Sequence, residues 1–140
     1  MPPFRRFAAA AAASLLLAAG ACDEETPPAA GGDQVPVPSG RAVQALDVIT
    51  NAPGSEGATA RFRFVVPGLK AGEAETWTDD MQALCESYAL PRIAGTVPAP
   101  QQIVISLADR ALPFGEPAPD AVQFFEAYAP KDDACIWEMF

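Results

Sequence analysis

Hydrophobic and polar positions alternate most cleanly over residues 60–66, where Phe62, Phe64 and Val66 face one way and Arg61, Arg63 and Val65 the other. A period of two in aromatic and β-branched residues predicts a strand with one buried face. Pro67-Gly68 stops it. Ahead of it, residues 41–50 form a short apolar segment closed by the turn cluster Asn51-Ala52-Pro53-Gly54, which predicts a first strand. Residues 103–107 (IVISL) are a β-branched run with Ile103, Ile105 and Leu107 on one face. The last stretch predicts a hairpin, with strands at 122–128 and 134–140 around Ala129-Pro130-Lys131-Asp132-Asp133. Asp120-Ala121-Val122 could equally start a short helix, because Phe124 and Phe125 fit either period, so residues 120–128 stay open between strand and helix.

One segment has a helical period. Trp77, Met81, Leu84, Cys85 and Tyr88 fall on a single helical face. Thr76 or Thr78 can cap it, Asp79 and Asp80 supply negative charge to its first turn, and Leu90-Pro91 ends it. A Met–aromatic stripe of this kind can line a ligand groove, but packing against a sheet is its commoner use. The order β-β-α-β-β-β predicts an α+β fold, a small antiparallel or mixed sheet of about five strands with one helix on a face.

The first 22 residues follow a different logic. Arg5 and Arg6 precede an apolar run from Phe7 to Ala19 broken only by Ser14, and Ala19-Gly20-Ala21 leads directly into Cys22. A run this short, ended by small residues, predicts an export signal over residues 1–21 rather than a spanning helix. The three small residues before Cys22 resemble a bacterial lipoprotein signal, with Ala19 where leucine is usual, which marks Cys22 for lipidation. Ordinary cleavage after the Ala-x-Ala triplet, releasing a soluble periplasmic protein, is the other reading. Residues 22–40 then carry four prolines and three glycines. With no hydrophobic periodicity, this composition predicts a disordered, lipid-anchored tether. The folded domain is expected over 41–140.

Export changes the reading of the cysteines. With Cys22 acylated, Cys85 and Cys135 remain, and two thiols in an oxidising compartment pair. The bridge would join the helix to the last strand. A redox dithiol is not indicated, since there is no C-x-x-C spacing.

Charge and composition narrow the chemistry. The chain has 9 basic and 18 acidic side chains and no histidine. Removing Arg5 and Arg6 with the leader leaves 7 basic against 18 acidic, a charge of −11. This argues against electrostatic binding of nucleic acid or of anionic lipid head groups. Without histidine the common general base and metal ligand are missing, and Ser-His-Asp and Cys-His arrangements are excluded. No spacing singles out a carboxylate pair, a calcium loop or a phosphate-cradling glycine motif. No catalytic residue, metal site or cofactor is therefore assigned. The one candidate surface site is the loop after the 103–107 strand, which gathers Asp109, Arg110, Phe114 and Glu116. Strand-end loops often carry sites, whereas an Asp109–Arg110 surface pair with Phe114 against the core edge is the structural alternative.

The segments QQIVISLADR, PFGEPAP, QFFEAY and CIWEMF resemble a family of small exported proteins from alphaproteobacteria known only as a domain of unknown function. The likeness spans about Gly40 to the C-terminus, includes Cys85 and Cys135, and implies export and a shared fold but no activity. Together these features predict an envelope lipoprotein on the periplasmic side, held to the membrane by its lipid and acting as a non-catalytic module that binds an envelope protein or cell-wall partner. The alternative is a small periplasmic enzyme or ligand carrier using carboxylates and the Asp109–Glu116 loop.

Overall fold

The computed structural model describes residues 32–139. The leader, Cys22 and the first part of the expected tether lie outside the described residues. Five strands form one sheet in the order β1 (Gln44–Ile49), β2 (Thr59–Val65), β3 (Gln102–Ala108), β4 (Gln123–Lys131) and β5 (Ala134–Glu138). A single helix, α1 (71–93), lies between β2 and β3 in sequence. β2 and β3 run parallel because the helix carries the chain back to the start of the sheet, and the other three pairings are antiparallel. The fold is α+β with a mixed sheet and a Cys85–Cys135 disulfide.

The alternation seen in the sequence sets the faces. Phe62, Phe64 and Val66 of β2 and its extension pack with Ile103, Ile105 and Leu107 of β3 and with Trp77, Met81, Leu84 and Cys85 of α1. Each large side chain buried this way contributes about 1.5–3 kcal/mol. The stripe on α1 is thus core. Val65, Val104 and Ala127, at the opposite parity, are buried outside that cluster, on the face away from the helix.

Within 120–128 the residues from Gln123 onward are strand, and 120–122 are the turn that leads into it. β4 starts at Gln123 and runs to Lys131, past the expected turn, so only Asp132 and Asp133 connect it to β5. Both have positive φ, 49° and 63°, as a two-residue hairpin turn of the twist-matched kind requires. Pro130 is tolerated within β4 because it lies beyond the register shared with β3 and opposite Cys135, so its missing N–H breaks no ladder bond.

The helix differs from expectation at both ends. It starts at Ala71, where the Lys70 N–H donates to the Glu73 carboxylate. Neither Thr76 nor Thr78 caps it, since each hydroxyl instead donates to a carbonyl three residues back. It also runs through Pro91. Over Leu84–Ala89 the turns widen to the π form, and the Leu90 N–H bonds Cys85, five residues back. The narrower α turns resume at Leu90–Ile93 with Pro91 directly after the widened turn, where its missing N–H leaves one carbonyl of the preceding turn without an intrahelical bond.

The packed chain also begins before Arg41, so the tether cannot extend to Gly40. Val35 and Val37 are buried in the core, and residues 33–35 pair with 43–45 beside β1. In Val35-Pro36-Val37-Pro38 the valines turn inward and the prolines outward. On the outward side an absent N–H costs nothing, so a proline-rich segment can still act as a strand-like edge.

Candidate functional site

The Asp109–Glu116 loop does not converge on a site. The Arg110 guanidinium donates to both Asp109 oxygens at 3.1 and 3.2 Å and to the Asp120 carboxylate at 3.3 Å. These bonds pin the loop to the start of β4 and hold the Asp109 carboxyl below its usual range, while the same partner raises the Arg110 guanidinium. Phe114 leaves this pair and lies beside Arg63, whose guanidinium carbon is 5.6 Å from the ring centre. Arg63 is itself bound through two donors to Asp47, at 2.6 and 2.8 Å. The Glu116 side chain is exposed and meets none of the other three. The arrangement is a surface ion pair with a separate aromatic cover.

Asp80 has a role that a helix-start charge would not have. Its side chain is 2% exposed. It accepts hydrogen bonds from the Ser39 N–H and hydroxyl and from Arg41 Nε and Nη2, the last at 3.0 Å. Arg41 also lies flat over the Trp77 ring at 3.5 Å and bonds the Thr76 hydroxyl and carbonyl. The network ties the 33–41 segment to α1. Its sequence signal was the spacing, because Asp80 falls three residues after Trp77 and four before Leu84, on the apolar face.

A groove lies at the other end of the helix. It has a volume of about 410 Å³ and is bounded by Val48 and Thr50 at the end of β1, Phe62 of β2, Ile93 of α1 and the connection through Val97 and Pro98 to β3. Gly95, with φ 79°, turns the chain out of the helix. The Thr96 hydroxyl donates to the Ile93 carbonyl at 2.8 Å and fixes the first step of that connection. The two rims nearly touch at Gly57, where an added Cβ would come within 3.0 Å of the Pro98 ring. Val97 is almost fully exposed and Val48 is 42% exposed.

One charge stands at this groove. Arg92 is stacked on the Tyr88 ring with its guanidinium carbon 3.4 Å from the centre, and Nη1 donates to the Tyr88 carbonyl at 2.9 Å. Tyr88 in turn meets Phe64 and Phe62 edge-on, at 5.3 and 6.1 Å between centroids. The cation is thereby set on a rigid aromatic support. No carboxylate lines the groove, and among the described residues no salt bridge reaches Arg92.

Among the described residues no group of three potential metal ligands gathers, and no helix is long and apolar enough to cross a membrane. Among the described residues two carboxyls are displaced from the ordinary range, and both are lowered. These are Asp109, beside Arg110, and Glu56, which accepts from its own backbone N–H and that of Gly54.

Residues 11–140 match a family of unknown function, DUF6497. The chain belongs to this family. The match reaches further back than the segments that carried the resemblance, taking in much of the apolar N-terminal run and Cys22. No curated protein and no solved structure matches the chain significantly.

Proposed function

We propose that this DUF6497 protein is a membrane-tethered module of the cell envelope that holds a ligand in the Arg92 groove without turnover. The groove itself carries the reading. Its walls are apolar, its single charge is a pre-positioned cation, and it has no carboxylate to move a proton. Acid catalysis near neutrality draws on carboxyls raised toward that range, whereas the two displaced carboxyls here are lowered. Other acids are engaged structurally, Asp80 by Ser39 and Arg41, Asp47 by Arg63, and Glu126 by the Trp137 indole N–H. The Asp109–Glu116 loop, closed on itself, lends the enzyme alternative no support.

The leader and Cys22 supply the tether, and the start of the family match inside the apolar run is consistent with a shared leader. With the packed chain beginning near Asp33, residues 23–31 would form the linker. A lipid at Cys22 would then keep the groove close to the membrane surface and raise the effective concentration of ligands found there.

Retention from solubilised envelope fractions on the immobilised protein, with eluted species identified by mass spectrometry, tests the reading. Wild type and an Asp109→Asn/Glu116→Gln variant should retain the same species, and Val48→Glu, which places a charge in the groove, should lose it. Loss in the loop variant with retention in Val48→Glu would move the site to the loop and overturn the proposal.

A further inference from the structure

Resting on the reading above, we propose that the ligand is a single-chain carboxylate amphiphile, a fatty acid, with its carboxylate on Arg92 and its chain along the groove. The lining and the state of Arg92 point to this class. The lining is hydrocarbon apart from Thr50, Thr96 and Arg92, and the Thr96 hydroxyl is already used by the Ile93 carbonyl. Arg41, Arg63 and Arg110 each pair with carboxylates, whereas Arg92 has no such partner among the described residues. The chain's net charge of −9 opposes anions in general, so the local cation beside apolar walls is what an anionic head group gains from and a neutral one does not.

The geometry of Arg92 favours a carboxylate. Stacking on Tyr88 and the bond from Nη1 to the Tyr88 carbonyl fix the guanidinium plane. The Nε–Nη2 edge remains, and two parallel donors on one edge match the two oxygens of a carboxylate. Because the side chain is held beforehand, little rotamer freedom is lost on binding. The volume decides between one chain and two. At about 410 Å³ the groove lies near the lower end of small-molecule sites, roughly 300–1,000 Å³, which suits a single acyl chain rather than a diacyl phospholipid.

Isothermal titration of the exported domain with dodecanoate and with dodecanol, below their aggregation concentrations and at low salt, tests the assignment. Dodecanoate should bind wild type. Arg92→Gln should weaken dodecanoate by about tenfold or more, the loss expected for one charge-assisted bidentate contact. The same variant should leave dodecanol unchanged, because the chain contacts remain. Val48→Glu should abolish dodecanoate binding. Failure of dodecanoate to bind, or equal affinity in wild type and Arg92→Gln, overturns the inference. If the envelope species is still retained by wild type and lost by Val48→Glu, the groove reading stands without the fatty acid. If that retention also fails, both fall.

Discussion

Asp80 and Tyr128 show how single side chains set the conditions under which this fold holds. A carboxylate buried as fully as Asp80 costs several kcal/mol unless it is paired and hydrogen-bonded, and Ser39 and Arg41 meet that need from a segment outside the sheet. The acid therefore helps hold the 33–41 segment on α1, beside the buried Val35 and Val37. Tyr128 works through its proton. Burial pushes its phenol well above the ordinary value, with the Glu126 and Glu86 carboxylates adding to the effect. The unfolded chain releases this proton at about pH 10, whereas the folded protein retains it to higher pH. The stability it supplies is intact below about pH 10 and is lost as pH rises through the folded value. The urea midpoint of wild type should accordingly fall more steeply above about pH 10 than that of Tyr128→Phe. Parallel curves for the two proteins would show that the buried phenol is not the alkaline weak point.

At the scale of elements, the disulfide and the helix side chains close the β5 edge together. Cys135 is bonded to Cys85 of α1, and its outward backbone groups are also taken, the N–H by Glu86 and the carbonyl by Gln82 at 2.7 Å. A sheet edge left open would be a template for pairing with another chain. Closing a loop of about 50 residues is worth roughly 4 kcal/mol in the chain-entropy account. Cys135→Ser should lower the melting temperature strongly under non-reducing conditions, and reduced wild type should melt close to the variant. A melting temperature equal to that of oxidised wild type would mean the bridge is not stabilising. The strands and the bridge were legible in the sequence because both leave local marks, the period-two runs at 60–66 and 103–107 and the two cysteines that remain once Cys22 is set aside. The ends of α1 were not. Thr76 and Thr78 look like caps but bond backwards within the helix, and the widened turn at Leu84–Ala89 that admits Pro91 has no recognisable pattern.

For the molecule as a whole, the groove was the part least visible beforehand. It is assembled from the end of β1, one side chain of β2, the last turn of α1 and the loop into β3, which are distant in sequence. Each piece reads locally as a turn, a strand or a helix end, and only the tertiary fold makes them walls of one cavity. The Asp109–Glu116 loop misled for the opposite reason, since four chemically suggestive residues close in sequence are turned toward different partners. Proline content likewise outweighed the inward–outward alternation of Val35 and Val37 and set the domain boundary too late.

The most direct test is a crystal structure of the protein purified from its native cells, with no ligand added. The account predicts electron density along the groove between Val48 and Pro98, ending at the free edge of Arg92. A groove holding only water, with a bound species at Asp109 and Glu116 instead, would contradict it.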